Sequence, residues 1–283
     1  MTRVLVRVAR AIYRGTPVPA IRRLYFGTFC RVMRDKRIRA SIGGSAFDLD
    51  LGEMIDVALF LEQYEPDVGA ALARHCRPGM TVLDIGANIG AHTLRLGRLV
   101  TPAGAVYAFE PTDFAFNKLK QNISLNHAPH VHPVKVALSD RTVAGQVIKY
   151  RASWTTSGRR KDGESIVDFV RLDDWSAASG VDQIDLIKID IDGNEFEALA
   201  GGMQLIERSL PVIVMEAVWS HFADKGRNPF VLLERAGYSF QDAKSDVEYA
   251  TAEDVERLFP HADPEMTTSF NVIARPSAHA TRG

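Results

Sequence analysis

Cysteine is scarce in this chain, with only Cys30 and Cys76 in 283 residues. Two thiols cannot staple a scaffold of this length and their spacing suits no metal site, so a reducing, cytoplasmic setting is expected. No run of about 18 apolar residues occurs, and no membrane-spanning helix is expected. Internal repeats and low-complexity tracts are also missing. Acid is nearly missing from the amino-terminal end. Up to Ala40 there are 11 Lys and Arg against one acid, Asp35, which leaves 23 basic and 34 acidic residues for the rest. A net charge of −1 thus joins a basic arm to an acidic body. Arg3, Arg7, Arg10 and Arg14 fall on one helical face, with Val4, Leu5, Val8 and Ile12 covering much of the remainder. The arm, taken as residues 1–50 with helices and a hairpin, suits peripheral contact with an anionic membrane surface, or packing on the acidic body or on a second copy in a homodimer. It is acid-poor like a transit peptide but lacks the apolar core of a secretory signal. It carries no base-reading motif and the body is acidic, so no nucleic-acid partner is expected.

The third glycine of a dinucleotide-binding turn is missing as well. What stands instead is TVLDIGANIGAHTLRLG, Thr81 to Gly97, followed by AVYAFEP, Ala105 to Pro111. An apolar run, a glycine-bearing turn and a helix-like segment are followed by a second apolar run that ends in an acid. Glu110 lies 20 positions beyond Gly90. That is how a doubly wound α/β protein builds a nucleoside site, with a tight turn after the first strand and a carboxylate after the second to accept from ribose hydroxyls. The turn reads Asp84-Ile85-Gly86-Ala87-Asn88-Ile89-Gly90, not G-x-G-x-x-G. An acid ahead of the turn would repel a pyrophosphate and suits an ammonium or a sulfonium. S-adenosylmethionine (SAM) carries both, which sets it above NAD.

Alternation of strand and helix signals around this unit predicts a mainly parallel sheet with helices on both faces. A hairpin is expected around Gly43-Gly44 and helix over 54–75, broken near Pro66. Strands are expected over 81–85, 105–109, 131–138, 185–189 and 211–215, with a final pair at 238–241 and 269–274. Two extra strands, 146–150 and 166–171, flank a polar segment, 152–165.

LDIGANIGAHTL, YAFEP, DLIKIDIDGNEFEAL (Asp185 to Leu199) and PVIVMEA (Pro211 to Ala217) together resemble the FkbM-type SAM-dependent methyltransferases over about residues 47–274. The resemblance implies a class I methyltransferase fold with a seven-stranded, Rossmann-like sheet in residues 51–283. It also implies O-methylation of a sugar, glycolipid or polyketide-like acceptor. One departure stands out: the family's usual Lys-Ile-Asp-Val-Glu-Gly is here Lys188-Ile189-Asp190-Ile191-Asp192-Gly193, so Asp192 is one methylene short.

The cofactor set follows from the chemistry. Gly86, Ala87 and Gly90 would let backbone approach the methionyl part, and Asp84 would bind the ammonium directly or through water. Asn88 and Thr93 could hydrogen-bond the amino-acid end, and Glu110 the ribose. Leu138 and Asp140, at the expected end of the third strand, would lie by the adenine. Glu65 in YEP resembles a family position near the cofactor. On the acceptor side, Lys188 and Asp190 share a strand face. Asp190 is the leading candidate base or acceptor anchor, with Lys188 orienting it. Glu216 would face the same crevice, and His221 is a second candidate base. Asp192 and Trp154 are candidate acceptor contacts, Trp154 from a lid formed by the polar segment. Asp190, Asp192 and Glu216 could hold Mg²⁺ through oxygen ligands. Two alternatives stand beside this reading: an NAD-dependent oxidoreductase, and a SAM-binding scaffold without chemistry.

Overall fold

Near-continuous apolar runs bounded by turn residues become strands buried on both faces. The structure, a computed structural model, describes residues 19–33, 36–154, 160–245, 247–259 and 268–277, with backbone alone for 19–25, 149–162 and 225. The basic face over Arg3 to Arg14 lies outside the described residues. Helix α1 (Pro19–Met33) leads into a hairpin of β1 (Arg37–Ile42) and β2 (Ser45–Asp50), then α2 (Met54–Phe60) and α3 (Pro66–His75). The first half of the main sheet is built from β3 (Thr81–Ile85), α4 (Ala91–Val100), β4 (Ala105–Phe109), α5 (Asp113–Leu125) and β5 (Val131–Val134). A side sheet follows, of β6 (Ala137–Leu138), β7 (Val143–Trp154) and β8 (Arg160–Val170), and then α6 (Leu172–Ser179). The second half comprises β9 (Leu186–Ile189), α7 (Glu195–Ala200), α8 (Met203–Ser209), β10 (Val212–Val218), α9 (Ser220–Ala223) and α10 (Pro229–Arg235). The chain closes with β11 (Tyr238–Asp242), β12 (Glu248–Tyr249), α11 (Ala252–Glu256) and β13 (Ser269–Pro276).

The eight-stranded sheet runs β12-β11-β13-β10-β9-β3-β4-β5. Strands β5, β4, β3, β9 and β10 are mutually parallel, and β13 runs antiparallel to both β10 and β11. The expected seven strands are all present, and the two-residue β12 adds an eighth at the edge. Successive residues of β3 feed opposite faces. Val82 joins one core with Leu72, Leu94 and Leu119, and Leu83 and Ile85 join the other with Ile187, Leu205 and Phe230. The hairpin belongs to the first of these cores through Phe47, Leu49 and Leu51. Strand order reverses between β3 and β9, and such a switch point opens a crevice at the strands' carboxyl ends.

Two expectations change. The third strand ends at Val134 rather than Leu138. Pro133 lacks an N–H and sits on the sheet's edge, and Ala137–Leu138 instead pairs in parallel with Phe169–Val170 of β8. The polar segment expected as a loop is largely hairpin: β7 and β8 pair from Gln146↔Val167 out to Trp154↔Arg160, with register shifts that absorb the irregular alternation. Among the described residues no helix is long and apolar enough to cross a membrane.

Candidate active site

A cavity of about 990 Å³ opens over the carboxyl ends of β3, β4, β9 and β10. Its floor includes Gly86, Asn88, Glu110, Asp190 and Glu216, and its walls include Tyr64 and Glu65 ahead of α3, with Leu138, Ile148 and Phe169 from the side sheet.

The turn after β3 is held in a shape that ordinary residues resist. Gly86 has φ +79° and Asn88 φ +50°. A Cβ on Gly86 would stand 1.9 Å from the carbonyl oxygen of Asp190, so no side chain fits there. Four of the turn's five amides are already engaged. Those of Gly86 and Ala87 both donate to the Phe109 carbonyl, at 3.0 and 2.9 Å, and that of Gly90 donates to Ala87. The Asn88 amide donates to Glu110 Oε2 at 3.1 Å. These four N–H groups cannot form the cradle a pyrophosphate needs.

Glu110 is nearly buried, and its Oε1 accepts from the Thr112 amide at 2.9 Å and the Thr112 hydroxyl at 2.5 Å. Burial pushes its pKa up, against those hydrogen bonds and the Lys188 charge. Its Oε2 keeps acceptor capacity toward the cavity.

Beneath the turn lies a buried charge set. Lys188 is almost wholly enclosed, with Nζ 3.6 Å from Asp84 Oδ1, 3.6 Å from Asp190 Oδ2 and donating to the Gly86 carbonyl at 3.1 Å. Burial alone would lower the ammonium's pKa, but the carboxylates of Asp190, Asp84 and Glu65 outweigh it and the value rises. Asp84 does not line the cavity. Its Oδ2 accepts from the Thr93 hydroxyl at 2.6 Å, and its Oδ1 has no hydrogen-bond partner, only the Lys188 ammonium. Asp84 and Thr93 therefore sit beneath the turn, bonded to each other and beside Lys188, rather than on the cavity wall. Ala87 is buried and contributes backbone alone.

Glu65, Asp190 and Glu216, together with Asp192, add four further carboxylates to the cavity lining. Glu65 sits at φ +39° ahead of α3, its Oε2 2.7 Å from His92 Nε2. Burial would raise its pKa, yet His92 and Lys188 hold it below the ordinary glutamate value. Asp190 is pushed up by burial, with Lys188 opposing and Glu65, Asp192 and Glu195 adding to the rise. Glu216 is likewise pushed up by burial, with a Ser269 hydrogen bond opposing and Asp190, Glu65 and Glu195 adding. These acids repel one another across the cavity, a state that an entering cation relieves.

Other expected residues are placed differently. Asp192 lines the cavity and adopts φ +54°. Asp140 is exposed and accepts from Ser139, while Leu138 and Ser139 line the cavity in its place. The reason is the early end of β5, which carries residue 140 past the site. His221 is buried away from the cavity, with Nε2 2.7 Å from Glu195 Oε2. Trp154 closes β7, and its side chain lies outside those described. Among the described residues no three His, Cys, Asp or Glu side chains come together in a way that could hold a metal, so the possibility that Asp190, Asp192 and Glu216 hold Mg²⁺ finds no support. Sequence reasoning missed Glu195, which reads as an ordinary residue at a helix start, and Tyr64, which falls inside the helix expected over 54–75. The fold buries the first and sets the second, half-buried, in the cavity wall.

A parallel sheet with one antiparallel strand second from the end of the seven, and a carboxylate-rich crevice at its switch point, defines the class I methyltransferase fold. The chain belongs to the FkbM methyltransferase family: the model of the methyltransferase FkbM domain matches residues 84–240, more than half of its length. It is similar to the 2-O-methyltransferase NoeI of Sinorhizobium fredii, 29% identical over 47% of this chain and 61% of that protein. It is similar to the 31-O-demethyl-FK506 methyltransferase FkbM of Streptomyces tacrolimicus, 30% identical over 44% of this chain and 60% of that protein. The hexuronic acid methyltransferase AglP of Haloferax volcanii is 26% identical over 53% of this chain and 61% of that protein. The chain thus spans about three fifths of the length of these curated relatives.

Proposed function

We propose that the cavity binds SAM and that the chain methylates a hydroxyl of a sugar, glycolipid or polyketide-like acceptor. The observation that carries this is Glu110, which directly follows β4, faces the cavity and is bonded into the β3 turn, four of whose five amides are already engaged. Such a site favours ribose hydroxyls and disfavours a pyrophosphate, which argues against the NAD alternative. The named activities of the three relatives, two of them on a numbered oxygen, support a hydroxyl acceptor.

When bound, SAM would supply a methyl carbon activated by its sulfonium for transfer to the acceptor oxygen, leaving S-adenosylhomocysteine. The chain's part is placement and charge. Glu110 would accept from the ribose hydroxyls, and the turn at Gly86 would let backbone close on the methionyl portion. Glu65, Asp190 and Glu216 present negative charge where a sulfonium and an ammonium would sit. Asp190, at the cavity beside Lys188, is the group that would take the acceptor's proton, and its pKa, raised by burial, makes it a stronger base than an ordinary carboxylate.

Calorimetry with S-adenosylhomocysteine and with NAD tests the reading. The expected outcome is saturable binding of the first and none of the second. Binding of NAD in preference would overturn it.

A further inference from the structure

The ends of β9 and β10 are tied together by two buried side chains that do not reach the cavity. Glu195, the first residue of α7, turns back so that Oε1 accepts from the Ile191 amide at 2.9 Å. Asn194 Nδ2 donates to the Ile191 carbonyl at 3.0 Å, so side chains hold both backbone groups of that residue. The other oxygen, Oε2, meets His221 Nε2 at 2.7 Å, with the two side chains 2% and 4% exposed. On the far side of the ring, the Val218 amide points at Nδ1 from 3.4 Å. An amide N–H only donates, so Nδ1 is the lone-pair nitrogen and Nε2 carries the proton that goes to Glu195. The hydrogen-bonded series from Val218 through His221 and Glu195 to Ile191 therefore crosses between two neighbouring strands.

What those strands carry gives the link its meaning. Asp190 directly precedes Ile191 and Glu216 lies two residues before Val218; both face the cavity. The turn between Asp190 and Glu195 needs support, since Asp192 and Gly193 are left-handed at φ +54° and +96°. Packing alone would be served as well by an apolar pair of similar volume. A fully bonded acid and imidazole instead set direction as well as distance.

We infer that Glu195 and His221 are positioning residues that fix the separation and orientation of Asp190 and Glu216 across the acceptor half of the cavity. The kinetic part of this inference rests on the proposed methyl transfer; the structural part does not.

The test uses the full chain with His221→Leu, which keeps buried volume and removes both ring contacts, and His221→Gln, which keeps a donor toward Glu195. Amide hydrogen exchange followed by NMR is read first. Ile191 should exchange at least about tenfold faster in His221→Leu while the β3 amides stay protected, and His221→Gln should restore Ile191. In methyl transfer, His221→Leu should lower kcat by about tenfold or more with KM for SAM changed less than about threefold, and Gln should recover most of the loss. Glu195→Asp, which withdraws the carboxylate by one methylene, should follow the Leu variant in both readouts and guards against a folding failure of that variant. Unchanged Ile191 exchange in both Leu and Asp variants, a Gln variant as poor as Leu, or a loss confined to KM for SAM would overturn the inference. The exchange measurement needs no cofactor, and S-adenosylhomocysteine calorimetry on the same samples reports separately on the proposed function.

Discussion

Glu110 and Asp190 both line the cavity with pKa values raised by burial, yet their partners assign them different work. Glu110 is committed on Oε1 to Thr112 and on Oε2 to Asn88, so it is held rigid at the β4 end. Asp190 has Lys188 at 3.6 Å and a side chain about a quarter exposed to the cavity. Glu110→Ala should therefore weaken S-adenosylhomocysteine binding by about a hundredfold or more, since two charge-assisted hydrogen bonds of about 1.5–3 kcal/mol each are lost. Asp190→Asn should leave that affinity within a few-fold and lower kcat instead. Calorimetry and initial rates on the two variants read this double dissociation, and equal loss of affinity in both would contradict the division of roles. The spacing from Gly90 to Glu110 made the first residue legible in the sequence. The contact that restrains the second was legible in part, because Lys188 and Asp190 are two apart on one strand. Asp84, which shares that lysine, was not: its partner lies across a strand pair, Asp84↔Lys188, that only the sheet order creates.

At the scale of elements, α5 joins the amino-terminal hairpin to the cofactor turn. Asn126 offers Oδ1 to the Ala46 amide and Nδ2 to the Ala46 carbonyl, both at 2.7 Å, completing the β2 edge as a neighbouring strand would. Asn122 accepts from the Asp48 amide at 3.0 Å and donates to the Ile89 carbonyl at 2.8 Å. One buried amide therefore connects β2 to the turn that carries Gly86 and Gly90. Asn122→Ala should cost about 1–3 kcal/mol of unfolding free energy, because the buried Ile89 C=O and the half-buried Asp48 N–H lose their partners together. It should also weaken S-adenosylhomocysteine binding through Ile89. Urea unfolding and calorimetry check both effects; a loss under about 0.5 kcal/mol would show that water replaces the amide. In sequence, α5 reads as a polar-faced surface helix, and nothing local distinguishes Asn122 from an exposed residue. The inner ends of the β7–β8 hairpin were expected as strands over 146–150 and 166–171, but its extension through the polar segment was not, because polar residues there alternate irregularly and the pairing absorbs this only through register shifts.

Across the whole molecule, charge gathered from distant segments sets the cavity's potential. Glu65 precedes α3, Glu110 follows β4, Asp190 follows β9 and Glu216 sits on β10. Glu110, Asp190 and Glu216 have raised pKa values, so they retain protons from about pH 4, the ordinary carboxylate range, up to their shifted values. A cation entering the cavity favours the ionised acids and lowers those values, so binding in that window must release protons. Glu65 is already held low and contributes little. SAM should therefore release more protons than S-adenosylhomocysteine, which lacks the sulfonium. Calorimetry at mildly acid pH in buffers of differing ionisation enthalpy measures this, and net uptake with SAM would contradict the site's electrostatics. The amino-acid order by itself determined most of the sheet's strands, the tight glycine turn and the acid after the second strand, because these depend on residues near each other along the chain. Which acid shares Lys188, that His221 meets Glu195 and does not line the cavity, and that residue 140 passes outside the cavity were decided by the fold alone. Each of those outcomes depends on which segments become neighbours in space, and a buried charge or imidazole takes its role from whatever the packing sets within about 4 Å of it.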